Sequence, residues 1–184
     1  ASIGTLGVNG LNVKKKFLNT TFYTIQINKI LKKLKEKKIE NVILEASSHG
    51  LNQNRLDGLE FDIGIFTNFT RDHLDYHKTY KNYLNSKLIL FKKLLKKNSY
   101  AIYDNDLKIS FNLNKITRLN KIKKLTLGNT KSSFSIIDHQ FLKDEQRITF
   151  IFDKKKYSFS TTLIGRVQIK NLLMAIMAAM KSKI

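Results

Sequence analysis

The chain contains no cysteine, no proline and no tryptophan, and only 14 acidic residues stand against 34 lysines and arginines. Without cysteine, neither a disulfide framework nor a thiolate zinc site can form, and a reducing compartment fits. Long hydrophobic runs are missing too. The longest, "NLLMAIMAAM" at 171–180, is too short to span a bilayer, so no membrane partner is expected. The start, "ASIGTLGVNG", has neither a basic segment nor a long apolar core, so no signal peptide is read. It also lacks an initiator methionine, so a fragment or a processed product is expected.

What remains is enough for one ordinary domain. The 184 residues are 42% hydrophobic and 26% charged, a globular balance. A net charge of +20 suits a nucleic-acid binder. However, 29 of the 34 basic residues are lysines spread along the whole chain, and arginines and aromatics are not clustered. Together with the abundant Asn and Ile, this is the composition of an AT-rich genome, and nucleic acid is not expected as a partner.

The patterning alternates strand and helix. "NVILEASSHG" (41–50) and "FDIGIFTNFT" (61–70) are apolar runs that end in polar loops. "SYAIYDND" (99–106) and "KKLTLGNT" (123–130) read as two more strands, with helical periodicity over 24–38, 78–96 and, more weakly, 106–117. This predicts an α/β fold with a mostly parallel sheet flanked by helices over 1–130. Over 131–164 the period drops to two, predicting a small antiparallel subsheet of β-hairpins, and 165–184 holds a closing helix from about 168 to 182. Ligands of open α/β sheets sit at the C-terminal ends of strands, which points at Glu45 to Gly50 and Thr67 to His77.

Groups suited to chemistry gather in few places. "DHLDYH" (72–77) packs Asp72, His73, Asp75 and His77 into six positions. A metal site, an acid–base pair and a polar turn all fit it. The glutamate of H-E-x-x-H is missing, and with Glu45 nearby in the pattern Mg²⁺ suits the donors better than zinc. On helix 78–96, Lys87 falls in the stripe of Tyr80, Tyr83, Leu84, Leu88, Phe91, Leu94 and Leu95. It is either a lysine snorkelling from the stripe's edge or a buried amine with a lowered pKa. "ASSHGLNQNR" (46–55) places small residues, an amide and an arginine after a strand carboxylate, and it has no G-x-S-x-G elbow. "NTT" (19–21) reads as a turn or helix N-cap, or as three polar groups beside a crevice.

In this order and spacing, "NTT", "LEASSHGLNQNR" and "FTNFTRDHLDYHKTYKNYLNSK" resemble the Mur ligases, over Ile3 to about Leu172. The "SSHGL…R" and "RDHLDYH" blocks are similar to the branch that adds the third residue of the peptidoglycan stem peptide. The resemblance implies the P-loop-type central domain of a three-domain cytoplasmic enzyme, monomeric at full length, serving peptidoglycan synthesis and thereby cell shape and division. It implies ATP and Mg²⁺ as cofactors, with UDP-MurNAc-dipeptide and a diamino acid (diaminopimelate or lysine) as substrates, joined through an acyl phosphate. Glu45, His73 and Lys87, the last as its carbamate, are the implied catalytic metal ligands, with Asp72 orienting His73. Asn19, Thr20, Thr21, Ser47, Gln53 and Arg55 match residues that hold the UDP-linked substrate, and Asn171 matches the residue contacting adenine.

Three departures stand out. Phe22 follows "NTT" where the family has proline, and Gln168 replaces the first asparagine of G-x-F-N-x-x-N. The chain has no G-x-x-x-x-G-K-[ST], so the phosphate loop is expected upstream of Ala1, along with a UDP-binding domain, and a further domain downstream. Rival readings are a folylpolyglutamate synthase-like ligase, a basic nucleic-acid-binding domain and a truncated product whose fold persists without activity. The expected outcome of an ATPase assay on the isolated 184-residue chain is little or no turnover, and robust hydrolysis would contradict the missing phosphate loop.

Overall fold

The computed structural model describes residues 1–11, 19–129 and 131–182. In chain order the elements are β1 (Ser2–Gly4), β2 (Gly7–Asn9), α1 (Thr24–Glu36), β3 (Ile43–Leu44), α2 (Ser48–Asn52), β4 (Phe61–Phe66), α3 (Leu74–His77) and α4 (Tyr80–Ile89). They continue with β5 (Leu95–Asp104), α5 (Ser110–Leu119), β6 (Lys123–Gly128), β7 (Phe134–Phe141), β8 (Gln146–Phe152), β9 (Lys155–Thr161) and α6 (Arg166–Lys181). The chain divides into two compact units, one of Ala1–Glu60 with Arg71–Leu94, the other of Phe61–Thr70 with Leu95–Ile184.

In the first unit, β1 pairs antiparallel with β2 and parallel with β3. On α1, Ile27, Ile30 and Leu34 are buried at helical spacing and most of the lysines face outward, as an amphipathic stripe requires. Helix α4 runs into a π-helical turn, Leu90–Leu94, which brings both Phe91 and Leu94 to buried positions. Phe22 lies in the core, so an apolar ring fills the position where proline was expected.

The second unit is built on a six-stranded sheet of order β4-β5-β6-β7-β8-β9. The pairs from β4 to β7 are parallel and those from β7 to β9 antiparallel. The hairpins therefore extend the parallel sheet through β6 and β7. Phe134 sits at that junction: it is the register partner of Leu127 on β6 and of Phe152 on β8. Its ring stacks on Phe150 and Phe152 at 5.3 and 4.5 Å. Helix α6 closes one face, its Ile169, Leu173, Met174 and Met177 buried with Ile102, Leu127, Phe134, Ile148 and Phe150. Among the described residues, no helix is long and apolar enough to cross a membrane.

Several boundaries differ from the sequence expectation. The β1–β2 pair was not expected, β5 begins at Leu95 rather than 99, and α5 spans 110–119 rather than 106–117. The expected helix 78–96 is interrupted by the π turn and ends at Leu94. Tyr80, assigned to its apolar stripe, is 47% exposed because it stands in the first turn. The last residue of the strand expected at 123–130 lies outside the described residues. Leu127 is 0% exposed at the centre of the sheet, and Leu127→Ala is expected to cost about 3 kcal/mol, measured by chemical denaturation.

Candidate active site

Two polar segments of the first unit, 45–55 and 71–77, meet side by side. The first follows β3 and is held by Thr21. Its Oγ1 donates to Glu45 O and accepts from Ser47 N, both at 2.8 Å, and lies 3.0 Å from Ser47 Oγ. Ser47 caps α2 by accepting from Gly50 N at 3.1 Å. A Cβ on Gly50 would fall 2.5 Å from Thr21 Cβ, so only glycine permits this approach. The N-cap of α1 is Tyr23, so "NTT" is not a helix cap: Thr21 faces inward to the loop instead.

Glu45 accepts twice on Oε2, from Thr5 N and Thr5 Oγ1, each at 2.8 Å. Thr5 Oγ1 lies 3.1 Å from Thr20 Oγ1, which links Thr20 to the same group. Asn19 is half-buried beside it in the chain. Arg55 is 8% exposed, with Nη1 donating to Thr21 O at 2.7 Å and Nη2 to Gln53 Oε1 at 2.5 Å. Its guanidinium lies over the Tyr23 ring at 4.5 Å, and its Nε is buried with no partner among the described residues.

The second segment wraps into a single turn. His73 takes left-handed dihedrals (φ 55, ψ 27) at the N-cap of α3. Asp72 braces it, accepting from His73 N at 2.8 Å and lying 3.4 Å from Nε2. The His73 ring meets His49 edge-on at 5.0 Å and Tyr83 at 5.9 Å. His77, 4% exposed, stands between α2 and α4, its Nε2 3.0 Å from Ser48 Oγ and its Nδ1 3.4 Å from Ser86 Oγ. Ser86 gives its one proton to Asn82 O, so it accepts from Nδ1–H and Ser48 donates to Nε2. Burial, then the neighbouring His49 and His73, push His77 below the ordinary histidine range. Burial likewise lowers His49, with His73 the next cause.

Lys87 projects from α4 with Nζ 5.4 Å from the centre of the Tyr83 ring. Burial holds its amine below the ordinary lysine range, while the charge of Asp72 works against that shift. His73, Tyr83 and Lys87 thus form one neighbourhood, and Glu45 with Thr5, Thr20, Thr21 and Ser47 forms another in the same unit. Asn171 belongs to the other unit, on α6, where its Oδ1 is buried without a partner among the described residues. Gln168, one turn earlier, is exposed. The ring cluster of His49, Tyr76 and Tyr83 carried no assigned role in the sequence reading. The aromatic spacing within "DHLDYHKTYKNY" was the available signal.

Residues 1–179 match the Mur ligase middle domain family. The chain belongs to the Mur ligases. Among curated relatives, it is 41% identical to the UDP-N-acetylmuramoyl-L-alanyl-D-glutamate–2,6-diaminopimelate ligase of Rickettsia bellii, covering 95% of this chain and 38% of that protein. It is 36% identical to the corresponding L-lysine ligase of Staphylococcus haemolyticus, covering 94% of this chain and 36% of that one. A solved structure of a 2,6-diaminopimelate ligase superposes with a TM-score of 0.85 at 28% identity, over 100% of this chain and 37% of its own. The chain therefore spans less than two-fifths of the length of these relatives.

Two histidines with lowered pKa values, the buried His77 and the half-buried His49, give the Mur ligase domain a signed pH dependence. Above the unfolded value of about 6.5, both states are neutral and stability is complete. Below it the unfolded chain binds protons that the folded chain resists, so stability falls as pH drops through the folded values. The melting temperature is expected to fall by a few degrees between pH 7.5 and 5, and His77→Phe should flatten the decline as followed by circular dichroism.

Proposed function

We propose that this chain is the central domain of an ATP-dependent ligase that joins a diamino acid to UDP-MurNAc-L-Ala-D-Glu in peptidoglycan synthesis. The whole protein would work in the cytoplasm as a monomer. ATP would activate the substrate carboxylate as an acyl phosphate, and the incoming amine would displace phosphate. The observation that carries this reading is Lys87, a half-buried lysine with a lowered amine pKa whose Nζ lies over the Tyr83 ring that also meets His73, in a chain of Mur ligase type.

The donors fit a hard divalent cation on one condition. Among the described residues, no three His, Cys, Asp or Glu side chains gather around one point. The set of Glu45, His73 and Lys87 reaches three ligands only if Lys87 contributes oxygens, as a carbamate does. The lowered pKa favours that modification: the neutral amine adds to the carbon of CO₂, a C–N bond forms and one proton leaves. The Lys87 carbamate, Glu45 and His73 would then hold Mg²⁺, which when bound neutralises phosphate charge and keeps attacking and leaving oxygens in line.

The remaining roles belong to this chain's own donors. Asp72 keeps the His73 ring from turning. Arg55 and Gln53 would bind an anionic group of the UDP-linked dipeptide, with Ser47, Thr20, Thr21 and Asn19 lining the same stretch. Arg55 is already fixed by Thr21 O and the Tyr23 face, so little rotamer freedom is lost when a ligand arrives. Asn171 Oδ1, an orphaned acceptor, would take a donor from the adenine base.

The test uses the full-length protein with UDP-MurNAc-L-Ala-D-Glu, ATP and either diaminopimelate or lysine, measuring amino-acid-dependent phosphate release. Lys87→Ala is expected to lose activity by at least about 100-fold and to regain part of it with added short carboxylates. In ¹³CO₂-equilibrated wild type, a carbamate carbon resonance absent from Lys87→Ala should appear. It should grow as pH rises towards the lowered amine pKa, because the neutral fraction grows. Wild-type activity in Lys87→Ala would rule the carbamate out.

A further inference from the structure

Tyr76 has no task in the reading above, yet its hydroxyl makes two bonds of opposite sense. It donates to Asn52 Oδ1 at 3.0 Å and accepts from Gln53 Nε2 at 3.1 Å. A phenol has one proton, and with that proton committed to Asn52 only a lone pair faces Gln53. An amide that meets a lone pair must present its NH₂ group, and its oxygen then points away. The oxygen of Gln53 does this, accepting from Arg55 Nη2 at 2.5 Å, while Arg55 Nη1 donates to Thr21 O. A guanidinium only donates, so the sense of the chain is set at the Arg55 end, and the phenol closes the other end by accepting from Gln53 Nε2.

Gln53 is exposed, so without the phenol its Nε2 would meet only mobile water and the side chain would be tethered by Arg55 alone. Tyr76 is itself held firmly: its ring lies against His49 at 4.2 Å and edge-on to His77 at 4.8 Å. The segment 71–77 thus reaches the segment 45–55 through a phenol whose position is set by rings and whose proton is already placed.

We propose that Tyr76 is a positioning residue that anchors the Nε2 end of the Gln53 amide, and so holds the Gln53 side chain in place beside the Arg55 guanidinium, for recognition of an anionic group on the UDP-linked peptide substrate. This rests on the assignment of Gln53 and Arg55 to substrate under the proposed function.

Tyr76→Phe removes one oxygen and keeps the ring packing. In the full-length protein it is expected to raise KM for UDP-MurNAc-L-Ala-D-Glu about tenfold, the value of one ordinary hydrogen bond. The kcat and the KM for ATP should move by less than about twofold, a split that a general loss of structure would not produce. In a Gln53→Ala background the same substitution should change nothing further, because its route of action is gone. An unchanged KM in Tyr76→Phe, or a full multiplicative effect in the double variant, overturns the proposal. A wild-type protein that does not turn over this substrate overturns the ligase reading instead. Positioning is then decided by NMR on the 184-residue chain. The Gln53 side-chain amide protons should exchange with water about tenfold faster in Tyr76→Phe, and equal exchange in the two proteins overturns the proposal.

Discussion

The first unit turns on a neutral imidazole. His77 bonds one hydroxyl with each ring nitrogen, Ser48 on α2 and Ser86 on α4, and is almost wholly buried between them. A charged ring would have two N–H groups, and Ser48 would have to reverse its bond in a place water does not reach. The neutral form is therefore part of the fold. Several of the first unit's candidate site residues lie on or next to the elements that this ring joins. Gln53 and Arg55 follow α2, His73 and Tyr76 lie on the turn that carries His77, and Lys87 is one residue beyond Ser86. Asn82 adds a second tie, its Nδ2 donating to His77 O.

Around that tie the polar groups bond one another before any ligand is considered. Thr21 spends its hydroxyl on Glu45 O and Ser47, and the missing Cβ of Gly50 lets the two segments approach. Such mutual bonding lowers the entropy lost on binding and holds donors in fixed directions. Lys87 is the opposite case. Its environment withholds solvation, so the amine is inclined to lose its proton, a property useful for chemistry and costly for stability.

Much of this was legible in the residue pattern. Lysine-free stripes on α1 and α6 and the period-two runs of β7 to β9 named their own elements, because one face of each must be apolar whatever its neighbours are. Lys87 was visible as a charge where the stripe demanded carbon. Other features were not legible. β1 and β2 are three residues each, too short for any period to register. Strand β5 starts with "LKKN", whose polar residues look like a loop, and only its Leu95 has a register partner on β4, Phe61. Tyr80 fitted the stripe by spacing but stands in the first turn, where the helix has not yet reached the core.

The order of small residues, carboxylate, DHLDYH and lysine was enough to name the family and to single out Glu45, His73, Arg55 and Lys87, because the kinds and spacing of side chains are properties of the chain itself. What those side chains touch was decided only by the fold. His77 became a buried tie and not a ligand candidate, Thr21 turned inward, and Tyr76 acquired a direction for its proton. Those outcomes depend on atoms 20 or more positions apart in the chain coming within hydrogen-bond distance, and on which lone pairs remain once each donor has been spent.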